Sequence, residues 1–131
     1  MSAQVAPLGS YSKIRQAAGL VFVAGTTARR ADGSIEGVSV AADGKRTHDV
    51  VAQTRFALEE VRKALATVGA GLEHCVDVTV FLTDMKYFDA FNACYAQLFP
   101  RNGPTRTTVA VLALPHPDMV IEFKVIASLG N

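Results

Sequence analysis

The 131-residue sequence has no tryptophan and only two cysteines, Cys75 and Cys94. Two thiols build neither a disulfide framework nor, by themselves, a metal site, so reduced thiols are expected. The longest apolar run falls far short of the roughly 20 residues that a membrane helix needs. Met1 to Ala6 lacks the basic start and apolar stretch of a secretion signal. The expectation is a cytoplasmic protein without a membrane partner. Charge is sparse and balanced as well: thirteen Lys and Arg against twelve Asp and Glu leave a formal +1. Nucleic-acid modules usually carry a basic stripe and a high pI, so RNA or DNA is not expected as the main partner. Gly-rich phosphate-binding motifs are missing, and His48, His74 and His116 lack metal-ligand spacing. Neither a nucleotide cofactor nor a metal is implied, and the three histidines read as surface or turn residues.

What the chain does have is apolar substance: half of its residues are hydrophobic. At this length one domain spanning 1–131 can bury about two-thirds of the surface of its unfolded form. Short apolar runs at Tyr11 to Arg15 and Leu20 to Ala24, split by Ala18-Gly19, predict a β-hairpin. The Gly-containing polar stretch from Arg29 to Arg46 reads as loop, with room for a short strand around Ile35 to Val40. From Thr47 to Val68, Val51, Leu58, Val61, Leu65 and Val68 recur at helical spacing, with Thr47 or Asp49 as the cap and Gly69 after the end. Cys75 to Leu82 alternates as a strand, with Val76, Val78, Val80 and Leu82 on one face. Asp84 opens a second helix striped by Phe88, Phe91, Tyr95, Leu98 and Phe99, and Pro100 and Gly103-Pro104 close it. Thr105 to Leu112 and Met119 to Ser128 are β-rich. The order β-β-α-β-α-β-β favours an α+β layer, two helices on one face of a mixed sheet. No further helix remains for the other face, which predicts oligomerisation through it.

Four positions could carry chemistry. Two-residue periodicity places Arg106, Thr108, Ala110 and Leu112 on one face of their strand. A guanidinium at that strand's start is a fixed fork suited to a carboxylate, or else half of a surface or intersubunit salt bridge. Glu122 shares its face with Val120, Lys124 and Ile126. A carboxylate there is either paired, to Lys124 or an arginine, or functional, orienting a water or shuttling a proton. Arg29 and Arg30 open a loop, where adjacent arginines are usually just solvated. Cys94 is better read as packed than nucleophilic.

Several short runs match one family in order: Gly9-Ser10-Tyr11-Ser12, Val21 to Gly25, Gln53-Thr54, Phe91-Asn92 with Tyr95 and Phe99, Pro104 to Thr107, and Val120-Ile121-Glu122. Over nearly its full length the chain resembles the Rid (YjgF) family of enamine and imine deaminases. Thr26 to Arg30, Gly103 to Val111 and Leu114 to Pro117 look closest to its 2-aminomuconate deaminases of bacterial aromatic catabolism. The resemblance implies a chorismate-mutase-like fold assembled as a homotrimer, with active-site clefts between subunits. It implies a carboxylate-binding role for Arg106, a water-orienting role for Glu122, and cleft positions for Tyr11, Asn92 and Thr108. Three departures, no Pro before Tyr11, Thr26 for Gln and Thr108 for Cys, point away from generic family substrates toward a specialised pocket.

The activity so implied is cofactor-free hydrolysis of 2-aminomuconate to 2-oxohex-3-enedioate and ammonia. Arg29 or Arg30 is expected to take the far carboxylate, and Lys124 is a rival as Schiff-base nucleophile. The alternatives are a broad-specificity 2-imino acid deaminase and a non-catalytic trimer that binds small acids.

Overall fold

A computed structural model describes residues 5–130. Met1 to Gln4, part of the stretch read for a secretion signal, lie outside the described residues. A five-stranded mixed sheet carries two helices on one face, the α+β layer expected from the element order. The strands are β1 (Ile14–Ala17), β2 (Leu20–Thr26), β5 (Cys75–Leu82), β6 (Thr105–Ala110) and β7 (Ile121–Ser128), in spatial order β1-β2-β7-β5-β6. Neighbours are antiparallel except β5 and β6. That parallel pair needs a crossover, which helix α2 (Phe88–Leu98) supplies. A separate hairpin, β3 (Val38–Val40) with β4 (Arg46–His48), leads into helix α1 (Val50–Ala66).

Local chemistry sets the boundaries. Of the two caps considered for α1, Asp49 performs the role: its carboxylate accepts from Ala52 N at 3.1 Å, while Thr47 belongs to β4. The helix stops at Ala66, and the left-handed Gly69 (φ 78°) turns the chain afterwards. The strand expected around Ile35 to Val40 is shorter, because Ile35 makes only an isolated bridge to Arg29. Asp84 caps a 3-10 turn, Met85–Tyr87, that runs into α2.

The core lies between the helices and one sheet face. Val21, Val23, Val78, Val80, Leu82, Ile121, Phe123, Val125 and Ala127 point into it from the strands. Leu58, Val61, Leu65 and Phe91 meet them from the helices. Val76 departs from its expected face: one extra residue between Cys75 and Asp77 bulges β5, burying Cys75 and leaving Val76 exposed. The opposite sheet face has no helix over it among the described residues. Its Phe22, Phe81 and Ile126 remain half-buried and Val109 exposed.

Candidate active site

The two residues given the leading roles lie on opposite faces of the sheet. Arg106 is in register with Val78 and Thr108 with Val80, so both point to the helix side. Glu122 is in register with Phe81, on the open side. Within one chain β5 also separates β6 from β7, so Arg106 and Glu122 do not face one another.

Arg106 stands on the edge strand against α2. Its guanidinium carbon lies 4.7 Å from the ring centre of Tyr95, 5.1 Å from Phe91 and 5.9 Å from Phe88. Aromatic faces stabilise a cation without consuming its N–H donors. Among the described residues no carboxylate pairs with Arg106, so the salt-bridge alternative is not realised inside the chain. Two buried hydroxyls beside it, Thr108 Oγ1 and Tyr95 Oη, have no hydrogen-bond partner. Burial chiefly pushes the Tyr95 phenol up to about 12, against the opposing effect of the Arg106 charge, so it stays a donor. Asn92 is exposed on α2, one residue past the fully buried Phe91. A guanidinium fork, two unpartnered hydroxyls and an aromatic floor are together suited to receive a carboxylate.

Glu122 lines a cavity of about 310 Å³ with Tyr11, Lys13, Gly25, Arg29 and Glu60. The β2 ladder slips by one residue against β7 between Val23 and Thr26, which brings Gly25 beneath the carboxylate. A Cβ on Gly25 would fall 2.3 Å from Glu122 Oε2, so only glycine leaves room for that oxygen. Burial raises the Glu122 carboxyl above its ordinary value. No ion pair to Glu122 forms among the described residues; Lys124, its proposed structural partner, is exposed on the same face. A half-buried carboxyl, unpaired among the described residues and beside a cavity, suits general acid-base work.

The two adjacent arginines have different fates. Arg30 turns away to Glu36 and to Ser34 Oγ at 3.0 Å, closing its own loop. Arg29 lines the cavity and donates to the carbonyl of Ala6. A larger cavity, about 660 Å³, opens near Cys75, Phe99 and Pro104, with Glu73 its one charged lining group. Burial foremost pushes the Cys75 thiol up to about 12, which removes it as a nucleophile. Cys94 is buried, as expected of a packed residue.

Three features lie beyond what sequence reasoning found. Lys13 and Glu60 enter the cavity; Glu60 could have been noticed because it shares a helical stripe with Gln53, Ala57 and Ala64. The third is a latch on the loop before β7. Asp118 takes Arg46 Nε and His48 Nε2, each at 2.9 Å, and these neighbours hold its carboxyl well below the usual carboxylate range. His48 is thus half-buried and paired rather than a bare surface residue. Gln53 clamps the same loop, donating to Asp118 O at 2.8 Å and accepting from Val120 N at 3.0 Å. No group of side chains among the described residues could hold a metal. No helix there is long and apolar enough to cross a membrane.

The family described as endoribonuclease L-PSP matches residues 1–129. The chain belongs to this family. A RutC family protein, PH0854 of Pyrococcus horikoshii, is 33% identical over 125 residues, covering 92% of this chain and 88% of that protein. Among solved structures, yeast Mmf1 superposes with a TM-score of 0.80 at 30% identity, over 96% of this chain and 91% of the other. E. coli TdcF, solved with bound serine, gives 0.80 at 28% identity over 95% and 92%. The E. coli YjgF gene product gives 0.78 at 27% over 95% and 92%. The Rid/YjgF membership and the α+β fold read from the sequence are thereby established.

Proposed function

We propose that this Rid/YjgF protein is a cofactor-free deaminase of an enamine or imine acid, with 2-aminomuconate as its substrate. The observation that carries this reading is Arg106: a half-buried guanidinium with no anionic partner among the described residues, spread on three aromatic rings beside two unpartnered hydroxyls. A relative crystallised with serine supports a small acid bearing nitrogen as the ligand class.

One chain cannot bring Arg106 and Glu122 to one substrate, because they occupy opposite sheet faces. The proposed enzyme is therefore a homotrimer, with the Arg106 half-site of one copy facing the Glu122 cavity of the next. The open sheet face, with Phe22, Phe81, Ile126 and Val109, is the surface such an assembly would cover.

In that cleft Arg106 holds the C1 carboxylate and Thr108 and Asn92 line its side. Protonation at C5 of the conjugated enamine takes up the C4=C5 electrons, moves the C2=C3 electrons to C3=C4 and gives the 2-iminium of the 3-ene diacid. Glu122 takes a proton from water as the oxygen bonds to C2, forming the carbinolamine. Proton transfer to nitrogen and collapse of the C–N bond expel ammonia and leave the 2-oxo acid. In sum, one water is consumed and one ammonia released. Placement of water and carbon side by side supplies much of the rate. Tyr11 lines the same cavity, and Arg29, which lines it too, meets the far carboxylate in this scheme rather than the latched Arg30. Lys124 has no role, because a substrate that already carries nitrogen at C2 gains nothing from a Schiff base.

The test is ammonia release from 2-aminomuconate set against 2-aminoacrylate, in wild type and Arg106→Lys. Lysine keeps the charge and loses the fork, so kcat/KM should fall about ten- to a hundredfold. Full activity in Arg106→Lys would refute bidentate carboxylate binding. Turnover of 2-aminoacrylate alone would point to a general scavenger of reactive imines.

A further inference from the structure

The cavity beside Glu122 contains a charge arrangement that general acid-base chemistry does not require. Lys13, just before β1, is half-buried there, and its nearest polar partner is Thr26 Oγ1 at 3.5 Å. An ammonium has three donors, so most of its hydrogen-bonding capacity is unspent. Arg29 lines the same space and lies near enough for the two positive charges to oppose one another. Burial first, and Arg29 as well, press the Lys13 ammonium toward neutrality, while Glu60 holds the proton on. Glu60 is itself buried, 4% exposed, on α1. Its Oε2 accepts from Lys63 at 3.1 Å, whereas its Oε1 is buried without a partner. Two like charges brought together around a half-buried space repel, and an anion placed between them removes that repulsion. The buried carboxylate of Glu60, near one of them, opposes that cation's loss of charge.

We propose that Lys13, backed by Glu60, joins Arg29 in receiving the distal carboxylate of a dicarboxylate substrate and so sets the preference of the site for diacids over monoacids. This rests on the functional reading above, in which Arg106 of a neighbouring copy holds the near carboxylate. Glu122 then faces the reacting carbons between the two anchored ends. Lys13 is a specificity-determining residue in this scheme, and Glu60 a positioning residue that acts through it.

The experiment uses two acids that do not react. trans,trans-Muconate and sorbate share a six-carbon diene chain and differ in whether the far end is a carboxylate or a methyl group. Their affinities for the whole protein are measured by calorimetry in wild type, Lys13→Met, Lys13→Arg and Glu60→Gln. Wild type should bind muconate more tightly than sorbate. Lys13→Met should weaken muconate about ten- to a hundredfold and leave sorbate within about twofold, since one charge-assisted contact is lost. Lys13→Arg should recover most of the difference, and Glu60→Gln should lose part of it. Should Lys13→Met not fold, Lys13→Gln carries the same expectation. Equal weakening of both acids, or of neither, overturns the inference. So does wild-type protein that binds the two alike. Binding needs no turnover, so a diacid preference that depends on Lys13 in a protein releasing no ammonia sinks the deaminase reading and leaves the anchor standing. Ammonia release with no such preference does the reverse.

Discussion

The Arg106 half-site and the Glu122 cavity lie on opposite faces of one sheet and accommodate a half-buried charge in opposite ways. The fold lays the Arg106 guanidinium on the rings of Phe88, Phe91 and Tyr95, whose faces stabilise its charge. Glu122 can keep its proton, and burial pushes it to do so. The first half offers a fixed charge to a fixed anion. The second offers a proton that comes and goes. In the proposed enzyme, binding and chemistry are thus separated by the thickness of a sheet, and assembly of copies would put them on one molecule of substrate.

The comparison is sharpened most by Glu122→Gln, which removes the exchangeable proton and preserves shape. It should lower kcat about 10²- to 10³-fold while KM moves little, because Arg106 is untouched. Ammonia release across pH is the measurement. In wild type the acidic limb should lie above the ordinary glutamate value of about 4.3, following the raised Glu122 carboxyl, and the variant should lack it. Stability should move the other way. A carboxyl raised in the folded state costs stability as pH climbs above its unfolded value, so Glu122→Gln should melt higher than wild type at neutral pH. A variant that lost activity and stability together would mark Glu122 as a structural residue.

Asp118 separates the halves by a different route. Its loop carries Pro115 and Met119 into the wall of the Glu122 cavity. Asp118→Asn gives up the charge-assisted contacts to Arg46 and His48 and should cost about 2 kcal/mol of unfolding free energy, read from urea titrations. The carboxyl is depressed in the folded state, so its contribution is present above the unfolded value near 3.9 and fades as pH falls below it. The gap between wild type and variant should therefore narrow below about pH 4. A gap constant with pH would mean that the Asp118 charge contributes nothing.

The half that binds was more legible in the sequence than the half that reacts. Arg106 after Gly103-Pro104 and Thr108 two residues on announce a strand start with two side chains on one face, and period two is a local property. Glu122 was equally visible, but the face it points to is fixed by its register with Phe81, forty-one positions earlier, and no local pattern encodes that pairing. β5 between β6 and β7 is likewise a matter of topology. Lys13, Glu60 and Asp118 escaped for the same reason. Asp118 meets partners 70 and 72 residues away, and Glu60 resembles any helix-surface glutamate until the stripe of Gln53, Ala57 and Ala64 is seen to be buried. Asp49 and Gly69, whose roles are local, were read correctly.

Gly25→Ala is the smallest change and tests the Glu122 half alone. The added methyl would lie 2.3 Å from Glu122 Oε2, closer than such atoms approach, and a tight 3.0 Å from its Cδ, so something must move. The neighbour is the free end of a flexible side chain and Gly25 is exposed, so the carboxylate can swing aside at little cost. Unfolding free energy should change by no more than about 0.5 kcal/mol. Catalysis is less forgiving, because misplacing a reacting group by about 1 Å costs up to a hundredfold; a drop of about tenfold in kcat is expected. Binding of sorbate, whose lone carboxylate belongs to Arg106, should stay the same. Full activity in Gly25→Ala would show that the working carboxylate does not rest over Gly25 during turnover, and the cavity would have to be rebuilt around a moved Glu122. A drop in activity with unchanged sorbate affinity would confirm that the anion is held by one face and the proton moved by the other.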